Sequence, residues 1–387
     1  MEILLEILSF LRSQPQAAAL GFVLGMAAVL VFLFGTKLGK GLAHWLTGRT
    51  QRALRRELEA LKARIAETEE VLDHVKDLSK SIWIQRPVKE GAPEARPLEE
   101  KSARIISVFN LKGGVGKTTL TVNLSAALSK MALTHLGERE PRILMVDADW
   151  QGTLTAGCLE GRDYRELVAT KRMTDRLLVN DPEFPLEVAH ATHPVPGLEL
   201  VRLLGANGDL GTLEEIQLLK WAIGETEHDP RFALRRWLQS TAVQEYFDYI
   251  LIDCPPRLSA ASVAALAASD SVLVPVVPDD YSMNAVPILL KSLGPLGNKL
   301  GVQLKIAGVV VNHAPPNGLT MVMERKLKQL ENDLEIVWKQ RVGVYWQEEW
   351  VIRRFNGAAL ESGPFPGLHS TQRATFDALA EKVASIT

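Results

Sequence analysis

The 387-residue sequence predicts an α/β protein, a doubly wound, mostly parallel sheet flanked by helices and preceded by a transmembrane helix and a coiled-coil-like helix. Three observations predict it. Residues 105–109 form a short apolar run that leads directly into a glycine-rich loop and then a helix. Residues 143–146 and 249–252 are unbroken apolar runs that end in aspartate, as strands buried on both faces do. Residues 17–34 carry no charge. Composition agrees with a folded chain: 47% hydrophobic and 23% charged residues are ordinary values, and the length allows a large core. The net charge of -2 gives no overall basic field of the kind that draws nucleic acid.

Residues 1–16 are a short first segment whose charged residues are Glu2, Glu6 and Arg12. The uncharged run after it is long enough for a hydrocarbon core of roughly 30 Å and has no polar face, so a transmembrane helix is predicted over 17–38. A cleaved signal peptide would start basic, whereas Glu2 and Glu6 are acidic. Lys37, Lys40, Arg49, Arg52, Arg55 and Arg56 follow with no acid before Glu57, and this excess of positive charge keeps the following chain in the cytoplasm.

A helical stalk is predicted over 50–85. Leu54, Leu58, Leu61, Ile65, Leu72, Val75 and Ile82 fall on a heptad seam, with Thr68 and Ser79 at its two polar positions. About 30 helical residues would hold the next domain roughly 45 Å from the membrane. Residues 86–103 contain Pro87, Gly91, Pro93 and Pro97 among many charges and keep no period, which predicts an extended, mobile linker to a domain at 104–387.

The loop Lys112-Gly113-Gly114-Val115-Gly116-Lys117-Thr118-Thr119 lies between a strand and a helix, the setting a phosphate-binding loop needs. Glycines let backbone N–H groups crowd around phosphate oxygens, and the helix N-terminus adds positive potential. Lys117 suits the β- and γ-phosphates of a nucleotide, and the Thr118 hydroxyl suits Mg²⁺. The usual GxxxxGK[ST] pattern is modified, because Leu111 stands where its first glycine would be. After such a loop, the apolar run ending at Asp253 reads as the strand whose acid holds Mg²⁺ through water.

These residues resemble the ParA/MinD family of deviant Walker A P-loop ATPases. Lys112 to Thr119 is similar to the family's KGGVGKTT loop, Asp147-Ala148-Asp149-Trp150-Gln151-Gly152 to its DxDPQG segment, and Asp253-Cys254-Pro255-Pro256 to its DCPP segment, in the family's order. Trp150 departs from the pattern by replacing its proline. The resemblance implies ATP and Mg²⁺ as cofactors, a slow, partner-stimulated ATPase, and a bacterial or archaeal cytoplasmic membrane as its place. It implies a homodimer in which Lys112 crosses to the partner's phosphates, Asp149 orienting the attacking water, Asp147 arranging the Mg²⁺ side, and Asn312, at the end of an apolar run, reaching the adenine edge. MinD-like members of the family bind the membrane reversibly through a weak terminal amphipathic helix, whereas a spanning helix is an effectively permanent anchor. The expectation is therefore a switch that positions or regulates an unknown protein partner, with DNA a further possible partner that the net charge does not indicate. The rivals are a bacterial tyrosine-kinase-like phosphotransferase, whose usual tyrosine-rich tail is missing because Tyr345 is the last tyrosine, and an ATP-binding scaffold that hydrolyses little.

Elsewhere the signals are weaker. Residues 198–201 suggest a strand and 212–221 a helix. Arg231, Arg235 and Arg236 next to Trp237 read as a solvated basic face, with DNA or anionic lipid the alternative. Trp338, Tyr345, Trp346, Trp350, Arg353 and Arg354 suit either an interface or core packing, and 343–370 is a candidate partner site. Cys158 and Cys254 show no metal spacing and read as two reduced thiols, and 371–386 reads as a helix docked on the core.

Overall fold

In the computed structural model the described residues are 82–97, 102–133, 136–159, 161–170, 173–180, 184–185, 187–338, 342–345, 347–354 and 370–386. The segment 1–16, the transmembrane prediction at 17–38 and the stalk up to residue 81 lie outside them. No helix among the described residues is long and apolar enough to cross a membrane.

Eight strands form one sheet in the order β3-β4-β2-β5-β1-β6-β7-β8. They are β1 (Arg104–Val108), β2 (Ile143–Asp147), β3 (His193–Val195), β4 (Leu198–Leu204), β5 (Tyr249–Asp253), β6 (Ser271–Val276), β7 (Lys305–Val311) and β8 (Val344–Tyr345). All pairs are parallel except β3 with β4 at one edge. The doubly wound, mostly parallel sheet expected from sequence is thus present. Its central strands bury every residue because helices cover both faces. Alternation along β1 divides its side chains, Ile105 entering one core and Ile106 and Val108 the other.

One face carries α1 (Lys117–Leu128), which is buried nearly all round, between the sheet and α6 (Ser370–Ile386). Phe376, Leu379, Ala380 and Val383 of α6 are fully buried, as expected for a core-docked helix. The other face carries α2 (Asp209–Ala222), α3 (Ala260–Ala268) and α4 (Asp280–Leu300), with α5 (Met321–Trp338) packed on α4. Local chemistry sets several helix starts: Ser259 and Ser262 form a reciprocal capping box at α3, and Asp279 accepts the Ser282 N–H at 2.7 Å at α4. The predicted strand near 198 and helix near 212 are β4 and α2.

Two expectations need correction. Arg231 and Arg235 are not a solvated face: both are buried. Arg231 pairs bidentately with buried Asp229 (2.9 and 2.6 Å) and also donates to the carbonyls of Trp83, Arg86 and Pro87 (2.8, 3.2 and 2.9 Å). Arg235 donates to Pro93 O, Ala267 O and Leu300 O, and burial brings its pKa down to about 10. The same contacts correct the linker. Residues 86–97 are extended but held to the domain along their length, with Arg96 N–H on Gln239 at 3.2 Å and Ala103 N–H on Gln244 at 3.2 Å. Just before them, the short helix Ile82–Gln85 places Trp83 flat against Trp221, ring centroids 5.1 Å apart. The segment is a strap. The prolines hide this in the sequence, because its fixing bonds come from arginines some 140 residues away.

The aromatic stretch near the C-terminus divides. Tyr345 is core, its hydroxyl donating to Ala307 O at 2.5 Å and burial raising its pKa to about 12, with Trp350 against it at 5.5 Å. Residues 355–369 and Trp346, part of the candidate partner site, lie outside the described residues.

Candidate nucleotide site

The sheet register brings the site together. Val108, Asp147 and Asp253 are level at the C-terminal ends of β1, β2 and β5, so the glycine loop and both acidic loops leave the sheet side by side. Gly116 is the N-cap of α1 in a left-handed conformation (φ 79°), with no side chain capping the helix. The first N–H groups of α1 are therefore left for an anion. A Cβ on Gly116 would lie 2.1 Å from Asn312 Nδ2, so only glycine fits. Gly114 is also left-handed (φ 70°), Gly113 is exposed at the tip, and Val115 is buried beneath it.

Lys117 is buried and donates to the carbonyls of Asn110 and Lys112 at 3.1 and 3.0 Å. Its pKa is lowered by burial, against the raising influence of Asp253, Cys254 and Asp149. Thr118 lies close enough to Asp253 to act on its charge. Burial, then the charge of Asp147, raises the Asp253 pKa well above the usual carboxylate value, while the Thr118 side chain and Lys117 lower it. Asp253 Oδ1 is buried with no hydrogen-bond partner among the described residues. An orphaned carboxylate oxygen beside a threonine hydroxyl and a buried lysine fits Mg²⁺, held by Thr118 and Asp253. Thr119 lies one turn into α1, its carbonyl accepting from Asn123 at 2.8 Å.

Asp149 is half-buried on the neighbouring loop, close enough to Lys117 to act on its charge, and accepts the Gln151 N–H at 3.1 Å. Asp147 is tied to its own chain through both carboxylate oxygens. Its Oδ2 accepts from the N–H and hydroxyl of Thr155 (2.9 and 2.7 Å), and its Oδ1 accepts the Asp149 N–H at 3.1 Å. With both oxygens engaged it braces the loop that carries Asp149; burial raises its pKa to about 6 despite these bonds. Asn312 is likewise a brace. Its Nδ2 donates to Val115 O at 2.9 Å and its Oδ1 accepts the His313 N–H at 2.8 Å, so its side chain ties the end of β7 to the glycine loop. Lys112 lies along its own chain, 3.2 Å from Asp279 Oδ2 and 4.9 Å from the Tyr281 ring centroid, and not extended outward. Both cysteines are free and buried; burial pushes the Cys158 thiol up to about 12.

Sequence reading missed four residues. Thr155 secures Asp147, and Asp279 holds Lys112. His313 touches the glycine loop with a left-handed backbone (φ 56°), and burial, with Arg354 nearby, lowers its pKa. Glu214 of α2 is buried and accepts from Arg257 and from Ala261 N–H, both at 2.7 Å. The local pattern marks only Asp279, as a helix cap.

Comparison with known proteins agrees with this geometry. Residues 103–306, more than half the chain, match a family described as an AAA domain. The Bacillus subtilis sporulation initiation inhibitor protein Soj is 35% identical over 213 residues, 54% of this chain and 72% of Soj. The chromosome partitioning protein ParA of Caulobacter vibrioides is 33% identical over 208 residues, 54% of this chain and 68% of ParA. The Mycobacterium smegmatis cobyrinic acid a,c-diamide synthase, solved with an ATP analogue and magnesium, is 25% identical with a TM-score of 0.54, covering 72% of this chain and 93% of the synthase. A modified phosphate loop, an acid with an open oxygen on the adjacent strand and this kinship lead to one statement: the chain belongs to this AAA-domain family of P-loop ATPases, the family of ParA and Soj.

Proposed function

We propose that the chain is a MgATP-hydrolysing dimeric switch, held at the cytoplasmic membrane through residues 17–38, that positions or regulates a partner assembly. The observation that carries the reading is the convergence of Lys117, Thr118, Asp253 with its open oxygen, and Asp149 at one end of the sheet. Bound MgATP supplies the phosphoryl group that passes to water. Lys117 and the free N–H groups of α1 balance negative charge on the phosphates. Asp149, the one acid of the three at the solvent boundary, orients the water and draws its proton. Asp147 keeps the Asp149 loop in place through Thr155.

Lys112 supports the dimer. It stands at the outer edge of the loop, and ATP would draw it away from Asp279 toward the phosphates of a second copy, a charge-assisted contact that hydrolysis then weakens. Membrane anchoring rests on the uncharged run and the basic residues behind it. DNA loses one candidate surface, because Arg231 and Arg235 are internal.

The test is phosphate release by the full chain in detergent. Asp149→Ala is expected to lower kcat by at least about 100-fold while nucleotide still binds. An unchanged rate would remove Asp149 from the chemistry and favour the scaffold reading. Label from γ-phosphate appearing on tyrosine in place of free phosphate would favour the kinase.

A further inference from the structure

Helix α2 touches both acidic loops at one end and the strap at the other. Near its start, Gly211 lies against Trp150, the residue after Asp149, at 3.5 Å from a Cβ position. One turn on, Glu214 accepts from Arg257 Nη2 and from the N–H of Ala261 in the first turn of α3, both at 2.7 Å. Arg257 is four residues past Asp253, and its guanidinium lies 5.8 Å from the Trp150 ring centroid. Trp150, Arg257 and Glu214 thus join the loop after Asp149 to the loop after Asp253. At its other end α2 presents Trp221. Trp83 stacks on that ring, and Arg86 donates to the Trp221 carbonyl at 3.0 Å. Trp83 also donates its indole N–H to Leu258 O at 3.4 Å, next to Arg257. The strap is therefore connected to the loop after Asp253 twice, once directly and once through α2.

We propose that Glu214 is a positioning residue for ATP hydrolysis, and that through α2 and Leu258 it couples the two acidic loops to the seating of the strap at Trp83. This rests on the ATPase reading above. The physical basis is that Glu214 is a buried carboxylate with two specific partners, Arg257 on the loop after Asp253 and Ala261 in the first turn of the helix that follows it. Moving that loop, as a change in the phosphates beside Asp253 must, either strains those bonds or carries α2 with it. The strap leads toward the predicted stalk, so a change at the nucleotide would be read outside the ATPase domain. Linkage requires the reverse effect on nucleotide affinity to be equal.

Two measurements on the full chain in detergent test this. Steady-state hydrolysis of Glu214→Ala is expected to show kcat lowered by about tenfold with KM within about twofold, since misplacement of a loop acts on the reacting geometry. Glu214→Gln, which keeps an acceptor for Ala261 N–H, should recover part of the rate. Hydrogen exchange of the strap amides of Lys89, Ala92 and Arg96 is then compared with ADP and with a non-hydrolysable ATP analogue bound. Protection should differ between the two nucleotides in the natural protein, and should become alike in Glu214→Ala. An unchanged kcat in Glu214→Ala, or strap protection alike for both nucleotides in the natural protein, overturns the proposal. Should Glu214→Ala fail to fold, Glu214→Gln with a normal kcat and normal strap exchange would overturn it equally. A natural protein that binds both nucleotides but releases no phosphate defeats the ATPase reading instead, and the exchange comparison still tests the coupling.

Discussion

Two buried polar clusters, one at each end of α2, are built on opposite principles. At the strap, Arg231 and Asp229 satisfy each other, and the remaining donors of Arg231 close on three carbonyls. At the nucleotide end, Asp147 and Asp253 are buried near each other with like charge, Asp253 has an open oxygen, and the N-terminus of α1 has no cap. The first cluster is complete within the chain and serves to hold it. The second keeps groups unpartnered within the chain, an acid oxygen suited to a cation and helix N–H groups suited to an anion. Polar groups buried to stabilise are closed by partners; those buried to bind are left open.

Breaking the closed cluster should have the largest effect. Arg231→Ala leaves Asp229 as an uncompensated buried charge and opens the carbonyls of Trp83, Arg86 and Pro87. A loss of about 3–5 kcal/mol in unfolding free energy is expected. Arg236→Ala, which removes one exposed bond to Asn180, should cost below about 1 kcal/mol in the same chemical denaturation. Equal losses would mean that the strap contributes nothing to the fold. The result also decides how a soluble fragment is best cut, since one that begins at Arg104 leaves Trp221 and Arg231 without their covers.

The open cluster predicts a stability change of the opposite sign. Asp253 has a folded-state pKa raised above its unfolded value, so its favourable contribution is complete below about pH 4 and is lost as pH rises through the raised value. At neutral pH the nucleotide-free protein therefore holds this acid at a cost. Asp253→Asn should raise the nucleotide-free Tm at pH 7.5, and the gain should shrink as pH is lowered through the raised pKa of the natural acid. The same change should abolish the further Tm rise that magnesium adds to ATP. A lower Tm at pH 7.5 would mean that Asp253 is compensated in the free protein, and that the comparison of open with closed clusters fails there.

The two ends also differ in how far the sequence discloses them. The glycine loop, Asp149 and Asp253 are readable because each sits at the junction of a strand with a loop, and because the residue types at that junction have few other uses. Asp147 and Asn312 are legible as polar residues at strand ends, but the contacts that brace them, Thr155 and Val115 O, are not. A carboxylate at a strand end looks the same in sequence whether it faces a metal or the hydroxyl of Thr155. The strap was read as a mobile linker and its arginines as a solvated face for a single reason. Each looks unpartnered alone, and the pairing of residues 83–96 with 229–239 across some 140 residues leaves no period or motif. Glu214 was invisible for the same reason.

The smallest effect expected lies on the border between the two kinds of cluster. Lys112 pairs with Asp279, and both side chains are partly exposed. Such a pair is worth at most about 1 kcal/mol, or roughly fivefold in an equilibrium. Asp279→Asn keeps an acceptor for the Ser282 N–H at the start of α4, so it removes the charge and leaves the cap. If the pair competes with the dimer for Lys112, this change should tighten the ATP-dependent dimer by about twofold to fivefold, measured by sedimentation in an Asp149→Ala background that keeps ATP intact. The gain should fade at high salt. A dimer weakened by the same substitution would instead mean that Asp279 serves the lysine of the second copy, and the contact within the chain would then be the resting place of a pair that belongs to the interface.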